Sequence, residues 1–235
     1  MSINYVLKKP LTFLMMGAPG VGKGTFSRLL SKDLGIPEFS SGSELRRIVQ
    51  SGEGKYVEEI KKIKNAGKLL SDDLIFEIIS QRLENEIFKN GVILDGYPRT
   101  VNQIRKFMEI RKIDMSIKIE LDETILIKKL TGRRECESCG RNYNLFSFKE
   151  NGYDMDPLLS KVEGKCDECA GSLIQRSDDN ETIIKERLEV YNKLTLPMES
   201  YFNELNVPIM RFEPKKGVRD YVIFRENVLK NIESL

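Results

Sequence analysis

A glycine-rich segment that contains one lysine has the most recognisable chemistry in the sequence. Residues 17–25 read GAPGVGKGT, which has the G-x-x-x-x-G-K spacing of a phosphate-binding loop. Glycines let successive backbone N–H groups turn toward phosphate oxygens, and Lys23 adds a positive charge at the start of a predicted helix. A turn with a solvated lysine is the alternative. Gly24 follows Lys23, so a hydroxyl directly after the lysine cannot bind Mg²⁺, and Thr25 comes one place later.

The sequence contains no histidine, which excludes a histidine general base, a Ser-His-Asp or Cys-His triad and any histidine metal ligand. Asp95 follows the apolar run 92–94, and ligands of open α/β sheets bind where such strands end. An acid there can hold Mg²⁺ directly or through water, and Arg99 in the same loop would face the same edge. The alternatives are a helix-capping or turn role for Asp95 and a surface ion pair for Arg99.

Four further arginines fit a reaction that moves a phosphoryl group. Such a reaction needs cations around the moving group and both neighbouring phosphates, and the planar guanidinium group suits those oxygens. Arginines at both ends of the segment that holds the cysteines would swing with that segment onto bound phosphates. Taken singly, each arginine would be expected to be solvated, and the other motifs make them candidates. The four are Arg46, Arg133, Arg176 and Arg187.

All four cysteines of the chain form two C-x-x-C pairs. Cys136 and Cys139 make the first pair, Cys166 and Cys169 make the second, and 26 residues separate the pairs. Four thiolates at this spacing predict a tetrahedral structural Zn²⁺ site with no open position. A redox pair or two disulfides is the alternative, and the intracellular setting that we expect argues against disulfides.

Alternating strands and helices are expected to position these residues. Strands are predicted at 11–16, 92–94, 117–121 and 208–212, and helices at 24–34, 43–50, 55–65, 71–90, 100–111, 122–130, 180–204 and 219–233. The helix at 180–204 is expected to bend near Pro197. This alternation predicts βαβ units, a parallel sheet and hence an α/β fold. The segment 132–175 breaks the alternation, and we interpret it as a small inserted subdomain.

The balance of charged residues limits the partners of the protein. A net charge of +2 gives no field for nucleic acid or an anionic membrane, and no apolar stretch is long enough to span a bilayer. Residues 1–10 have neither a signal-peptide apolar run nor the Arg- and Ser-rich character of a cleaved transit peptide. We therefore expect a cytoplasmic protein without nucleic-acid or membrane partners, with an uncleaved mitochondrial import signal as the alternative.

Six segments together resemble the long-form adenylate kinases, in order and over nearly the whole chain. They are GAPGVGKGT at 17–25, SSGSELR at 40–46, NAGKLLSDDL at 65–74, ILDGYPRTVNQ at 93–103, TGRR at 131–134, and IQRSDDN at 174–180 with Arg187. The segment DGYPR followed by Gln103 is typical of nucleoside monophosphate kinases. The cysteine segment resembles the zinc-bearing lid of some adenylate kinases.

The resemblance implies a fold, a reaction and a division of the chain. The fold would be a three-layer α/β P-loop fold with a five-stranded parallel sheet, a helical monophosphate-binding insertion and a small zinc-ribbon-like β lid. A monomer would transfer the γ-phosphoryl group of Mg²⁺-bound ATP to AMP, reversibly, giving two ADP. The core would comprise 1–39, 71–131 and 180–235, the monophosphate-binding part 40–70, and the lid 132–179.

The resemblance also implies roles for individual residues. The donor nucleotide would contact Gly20, Val21, Gly22, Lys23, Gly24, Thr25, Lys129, Arg133 and Lys216. The acceptor AMP would contact Ser41, Arg46, Leu70, Gly96, Arg99, Gln103, Arg176 and Arg187. The transferring phosphoryl group would be surrounded by Lys23, Arg99, Arg133, Arg176 and Arg187, with Mg²⁺ held through water by Asp95. Asp178 and Asp179 would be hinge or orienting groups, and Zn²⁺ would be bound by Cys136, Cys139, Cys166 and Cys169.

Several positions depart from the family pattern. Ser41 stands where threonine is usual, and Ser43 stands where many members have an aspartate near the magnesium waters. Lys129 stands where bacterial members have the arginine that stacks on the donor base, and the lid carries an additional loop near 151–160. A GTP:AMP phosphotransferase of the same fold is therefore the alternative reaction.

Three other classes of protein fit the sequence less well. Uridylate and cytidylate kinases usually have a short lid without cysteine knuckles. A P-loop regulatory protein needs Ser or Thr directly after the lysine, where this chain has Gly24. A zinc-ribbon nucleic-acid adaptor needs a basic stripe, which a net charge of +2 does not supply.

Overall fold

The computed structural model of the protein describes residues 5–235, without the side chain of Lys64. The strands in chain order are β1 (Thr12–Met16), β2 (Glu38–Ser40), β3 (Val92–Asp95), β4 (Met115–Ile119), β5 (Arg133–Cys136), β6 (Asn142–Asn144), β7 (Leu173–Ile174) and β8 (Ile209–Phe212). The helices are α1 (Lys23–Leu34), α2 (Ser41–Ser51), α3 (Val57–Asn65), α4 (Asp72–Leu83), α5 (Val101–Ile110), α6 (Glu123–Thr131), α7 (Glu181–Val190), α8 (Met198–Glu204) and α9 (Tyr221–Ile232). Part of the expectation about residues 1–10 falls on residues 1–4, which lie outside the described residues.

Within residues 5–235, the main sheet has five parallel strands in the order β2–β3–β1–β4–β8. On the central strand β1, Leu14 lies opposite Leu94 of β3 and Ser116 of β4. All five residues of β1 are buried, as expected for a strand of a parallel sheet that is covered on both faces. The predicted α/β fold with a five-stranded parallel sheet is confirmed.

Two strands differ from the sequence-based expectation. Strand β4 covers Met115–Ile119 rather than 117–121, because Met115 pairs with Phe13 in the ladder. Strand β2 is not indicated by any apolar run, since it has three residues at the sheet edge and two of them, Glu38 and Ser40, are polar.

Alternate residues of β1 face two separate apolar layers. Phe13 and Met15 pack into one layer, and Leu14 and Met16 pack into the other. The first layer includes Phe26 and Leu30 of α1 and Phe224 of α9, and the second includes Ile79 of α4, Phe107 of α5 and Phe202 of α8. Helices therefore cover both faces of the sheet, which gives three layers.

Two predicted helices are divided in the structure. The helix predicted at 71–90 ends at Leu83, and a separate 3₁₀ turn covers Glu86–Phe88. The helix predicted at 180–204 consists of α7, a π-helical turn at Tyr191–Thr195 and α8, which begins after Pro197. The run is interrupted at 196–197, where proline lacks the N–H that would continue the helix, and the bend expected there stays a prediction.

A second sheet lies between α6 and α7 in the chain. It is antiparallel, has the strand order β6–β5–β7, and places Glu135 opposite Asn142 and Ile174. The segment 132–175, interpreted from the sequence as a small inserted subdomain, contains this sheet. Helices α2 and α3 form a separate helical segment between β2 and α4.

Among residues 5–235, no helix is both long enough and apolar enough to cross a membrane.

Candidate active site

The chain turns sharply between the end of β1 and the start of α1. Gly17, Gly20 and Gly22 have positive φ angles of 136°, 90° and 109°, which other residues rarely adopt. A side-chain carbon on Gly17 would lie 2.3 Å from the carbonyl oxygen of Ile119, so the loop also passes too close to β4 for a larger residue. The loop lies at the carboxyl edge of the sheet beside the N-terminus of the 12-residue helix α1, an arrangement that favours phosphate.

Lys23 begins α1, and its ammonium group folds back over this loop. Its Nζ donates to the carbonyl oxygens of Gly17 at 2.7 Å and Ala18 at 3.0 Å. Burial lowers the pKa of Lys23 to about 8, while the Asp95 carboxylate opposes that shift and three nearby arginines add to it. A phosphate group among these cations would favour the protonated lysine.

Asp95 ends β3 and lies beside the first turn of α1. In the sheet it is flanked by Met15 of β1 and Ser40 of β2, so it stands where three neighbouring strands end. A side-chain carbon on Gly24 would be 3.5 Å from Asp95 Oδ2, which places the carboxylate next to the phosphate-binding loop. An oxygen ligand at this position fits hydrated Mg²⁺, which is usually bound by one or two carboxylates together with substrate phosphates.

The loop after β3 fixes Arg99 at several points. Arg99 Nε donates to the Gly96 carbonyl at 2.6 Å, and its backbone N–H donates to Gln103 Oε1 at 2.7 Å. Its own carbonyl accepts a hydrogen bond from Thr195 Oγ1 at 2.9 Å. Gln103 is buried, and its Nε2 donates to Asp72 Oδ1 at 2.7 Å. Burial lowers the pKa of Arg99, so its charge is held in a desolvated position.

Two buried acids hold two of the predicted arginines. Arg133 binds Asp179 through Nε at 2.7 Å and through Nη2. Arg187 Nη1 lies 2.9 Å from Asp178 Oδ2 and 3.5 Å from Asp179 Oδ1. Burial lowers the pKa of Arg187 to about 10, and Arg133 adds to the shift. Both acids therefore orient guanidinium groups, and the hinge role expected of them stays a prediction.

The remaining two arginines share an acid that the sequence did not indicate. Glu135 of β5 accepts from Arg46 Nε at 2.9 Å and also pairs with Arg176 Nη2. Burial lowers the pKa of Arg46 to about 10 and that of Arg176 well below its ordinary value. No motif signals this acid, which simply follows two arginines where a helix leads into the cysteine segment.

Two cavities meet at these cations. The first, of about 180 Å³, extends toward α2 and α3, and the second, of about 210 Å³, extends along the phosphate-binding loop toward the second sheet. Residues that line both cavities include Lys23, Arg46, Arg99, Arg176 and Arg187. Anionic groups entering from the two sides would therefore reach the same cations.

The predicted site residues divide between the two cavities. All residues expected to contact AMP line the first cavity: Ser41, Arg46, Leu70, Gly96, Arg99, Gln103, Arg176 and Arg187. The residues expected to contact the donor that line the second cavity are Gly20, Gly22, Lys23, Gly24, Thr25, Lys129 and Arg133. Among the described residues around that cavity, Val21 and Lys216 do not line it: Val21 is buried, and the Lys216 N–H donates to Asp220 Oδ2 at 2.7 Å.

The second cavity is also lined by residues that the sequence did not single out for this site: Phe146, Met155, Leu158, Gly217 and Val218. Met155 and Leu158 belong to the additional loop at 151–160. That loop is fastened to the chain before α9, since the Asp154 N–H donates to the Lys215 carbonyl at 2.9 Å and Tyr153 Oη donates to Glu213 Oε1 at 2.5 Å. The loop therefore forms part of the cavity wall.

Lys129 lines the second cavity beside the phosphate-binding loop. Its Nζ donates to the Val21 carbonyl at 3.3 Å, and burial lowers its pKa to about 8. The ammonium group is therefore held against the backbone of the phosphate-binding loop.

The four cysteine sulfurs form one cluster and lie within 4.8 Å of one another. The Sγ atoms of Cys136 and Cys169 are 3.5 Å apart, as are those of Cys139 and Cys166, and all four thiols are free. Four Zn–S bonds of about 2.3 Å in a tetrahedron separate the sulfurs by about 3.8 Å, so the cluster fits this metal. The predicted grouping of the cysteines is confirmed.

The surroundings of the cluster act differently on the four thiols: hydrogen bonds lower the pKa of Cys136 and Cys166, whereas the pKa of Cys139 and Cys169 is raised. Burial raises the pKa of Cys166, but hydrogen bonds led by that from Tyr143 Oη lower it to about 6. A side-chain carbon on Gly171 would lie 2.9 Å from Cys136 Sγ, so glycine is needed beside the cluster. Metal-binding cysteines must be deprotonated, and the hydrogen bonds to Cys166 assist that step at this ligand.

The phosphate-binding loop and the two cavities that share its lysine define a P-loop nucleotide-binding protein. The sequence profile of the family described as adenylate kinase matches residues 15–207. A GTP:AMP phosphotransferase from Plasmodium falciparum (isolate 3D7) is 36% identical over 90% of this chain and 93% of the relative. An adenylate kinase from Thermosipho africanus (strain TCF52B) is 40% identical over 83% and 89%, and adenylate kinase 1, chloroplastic, from Arabidopsis thaliana is 36% identical over 88% and 73%. The chain therefore belongs to the adenylate kinase family and is a nucleoside monophosphate kinase.

Proposed function

We propose that this protein transfers the γ-phosphoryl group of a Mg²⁺-bound purine nucleoside triphosphate to AMP, and that the reaction is reversible. ATP is the proposed donor, in which case two ADP form, and GTP is the alternative. The observation that carries the proposal is the meeting of two cavities at Lys23 and four arginines. Two nucleotides that enter from opposite sides would bring their phosphates together at that point.

AMP would occupy the first cavity. Its phosphate would bind the guanidinium groups of Arg46 and Arg99, which bind phosphate oxygens in a bidentate manner. Its base would lie near Leu70 and Gln103, between α2, α3 and the loop after β3. Ser41 Oγ donates to the Gly96 carbonyl at 2.6 Å and so fixes the wall between the base and phosphate ends.

The donor nucleotide would occupy the second cavity. Its phosphates would follow the phosphate-binding loop, and its base would reach the apolar end formed by Phe146, Met155 and Val218. The additional loop at 151–160 would then be one wall of the donor site. GTP remains the alternative because Lys129 replaces the arginine expected at the base, and because the Plasmodium relative carries the name GTP:AMP phosphotransferase.

The reaction needs positioned charges rather than a base. An oxygen of the AMP phosphate already carries negative charge, so it can attack the γ-phosphorus while the bond to the β–γ bridging oxygen breaks. Lys23 and the arginines would stabilise the charge on the moving group, and their partial burial would strengthen that effect. Bound Mg²⁺ would supply charge neutralisation at the donor phosphates, and Asp95 would hold its water ligands.

The four cysteines would hold a structural Zn²⁺ ion. The site has four protein ligands and no open position, which is typical of structural rather than catalytic zinc. We propose that 132–179 acts as a lid over the donor, that 40–70 binds AMP, and that 1–39, 71–131 and 180–235 form the core. The protein would act as a monomer on free nucleotides in the cytoplasm, with an organelle as the alternative.

A panel of donors against AMP tests the proposed reaction. Purified protein with Mg²⁺ and AMP is supplied in turn with ATP, GTP, ITP and UTP, and the diphosphates formed are separated by chromatography. We expect ADP to form from AMP with ATP or GTP as the fastest donor. Failure of every triphosphate to phosphorylate AMP would overturn the proposal.

Lys23→Met is the matched control for this panel. The variant keeps the apolar stem of the side chain and removes the charge that faces the phosphates. We expect phosphoryl transfer to fall about a thousandfold, while the melting temperature stays the same or rises because a desolvated cation is gone. Retained turnover would contradict the role of the phosphate-binding loop.

A further inference from the structure

Glu135 is a buried acid at the centre of a site that otherwise gathers positive charge. It is 6% exposed and lies on β5, in the segment 132–179. Its carboxylate pairs with Arg46 of α2 on one side and with Arg176, which follows β7, on the other. Through this one side chain, the cysteine segment is joined to the segment 40–70.

Both arginines keep further donors for a ligand while Glu135 holds them. Arg46 uses Nε for Glu135 and Nη2 for Ser43 Oγ at 2.9 Å, and both arginines line the two cavities. Arg176 Nε is buried and has no hydrogen-bond partner among the described residues. A buried donor without a partner is costly, so a phosphate oxygen in the shared space would satisfy it.

Glu135 also decides how closely the two guanidinium groups can approach. Desolvation destabilises the charged form of both arginines, and each cation lies near others. Without the carboxylate, two like charges on different segments would repel each other in a region of low exposure. With it, Arg176 and Arg46 are held around one anion and face the same space.

We propose that Glu135 is a positioning residue that couples closure of the segment 132–179 to organisation of the AMP site. When the segment closes over the donor, Glu135 arrives beside Arg46 and fixes its guanidinium group for the acceptor phosphate. Donor binding should therefore strengthen AMP binding, and the coupling should depend on this carboxylate. The inference rests on the proposed function, since it assigns AMP to the first cavity.

The test compares AMP affinity with and without a bound donor analogue. Calorimetry gives the dissociation constant of AMP alone and in saturating β,γ-imido-ATP with Mg²⁺, and again with the GTP analogue. In the wild type we expect AMP to bind about five- to fiftyfold more tightly when the analogue is present. In Glu135→Gln we expect this ratio to approach one and kcat to fall about tenfold. The added net positive charge shifts both dissociation constants together, so it cancels in the ratio.

Two further variants separate coupling from other effects. Glu135→Asp keeps the charge but is one methylene too short to reach both arginines, and we expect the same loss of coupling. Glu137→Gln removes an exposed acid two residues away and should leave the ratio and kcat unchanged. Melting temperatures and metal content check that each variant is folded.

The results that would contradict the coupling differ from those that would contradict the proposed function. An unchanged ratio in folded Glu135→Gln, or a wild-type ratio of one, would overturn the coupling proposed here. Failure of AMP to bind the wild-type protein at all would instead overturn the proposed function, because binding is measured without turnover.

Discussion

Lys23 is a cation that the fold has partly removed from water. Its ammonium group is held by two backbone carbonyls, and burial lowers its pKa to about 8. An ordinary lysine would stay charged well above that pH. Lys23 should therefore lose its proton within a pH range in which the protein can be studied. A bound triphosphate should oppose the loss of that proton.

We expect triphosphate binding to take up a proton near pH 8. Donor phosphates favour the charged lysine, so the complex binds a proton that part of the free protein has released. The dissociation constant of β,γ-imido-ATP should rise up to about tenfold between about pH 7.5 and about pH 9. Calorimetry in buffers of different ionisation enthalpy measures the uptake directly.

Two variants identify the lysine that takes up the proton when triphosphate binds. Lys129 also has a pKa lowered to about 8 by burial, so Lys129→Met should remove a part of the uptake and Lys23→Met the rest. An affinity that stays constant over this pH range, with no proton uptake, would contradict the assignment.

At the scale of single elements, the edge strand β2 carries a glutamate whose burial disfavours its charged form. Glu38 accepts a hydrogen bond from Ser27 Oγ of α1 at 2.5 Å. Burial raises the pKa of Glu38 to about 7, with Asp95 adding to the shift and Ser27 and Arg28 opposing it. The folded state therefore binds a proton that the unfolded chain has already released between about pH 4.5 and about pH 7. Stability from this group is lost as the pH rises across that interval.

Glu38→Gln should stabilise the nucleotide-free protein at neutral pH. The amide oxygen can still accept from Ser27, and the buried charge is gone. We expect the free energy of unfolding to rise by about 1–2 kcal/mol at about pH 8 and to change little at about pH 5. Urea unfolding at both pH values measures the difference, and the exposed Glu226→Gln is the control. A gain that is larger at the lower pH would have the wrong sign.

The sequence predicts those parts of the fold whose conformation is determined by residues close together in the chain. The loop at 17–25 is predicted because its glycines need positive φ angles at a fixed spacing. Strand β2 escapes prediction because two of its three residues are polar, and its place is set by pairing with β3. The C-terminal ends of α4 and α7 are also not predicted from the sequence, since tertiary packing determines where each helix is interrupted.

In the candidate site, too, the residues of local motifs are predicted from the sequence, and contacts between distant residues are not. Lys23 and Arg99 are predicted because each belongs to a compact motif. The pairing of Glu135 with Arg46 and Arg176 could not be predicted, because it joins residues that are far apart in the chain. The wall formed by Met155 is likewise a consequence of how the loop at 151–160 folds back.

At the scale of the whole molecule, the cysteine cluster is joined to the main sheet layer by charge. Glu168 lies between two of the cysteines and forms ion pairs with Arg28 at 3.8 Å and Lys32 at 3.4 Å, both on α1. It also pairs with Arg141 at 2.9 Å. These ion pairs connect the cysteine segment to the helix that follows the phosphate-binding loop.

Cys139→Ser should lower both the metal content and the melting temperature. Loss of one thiolate leaves three sulfur ligands, and metal binding contributes directly to folding of such units. We expect about one Zn²⁺ per wild-type chain, clearly less in the variant, and a melting temperature lower by about 5–10 °C. Metal analysis and calorimetry are the measurements, and the neighbouring Ser138→Ala should retain its metal. Wild-type protein that lacks zinc after preparation in reducing, zinc-containing medium would refute the assignment.

The number of residues in α7 and in the π-helical turn at Tyr191–Thr195 determines where the side chains that follow lie. The Leu196 N–H donates to the Tyr191 carbonyl at 2.9 Å, so this turn holds one residue more than an α-helical turn. Deleting one residue from the regular turns of α7 would rotate everything that follows by about 100° about the helix axis. Thr195 would leave the Arg99 carbonyl, and Met198 would leave the apolar layer on its side of the sheet. Insertions and deletions should therefore be tolerated in exposed surface loops away from the site but not within α7.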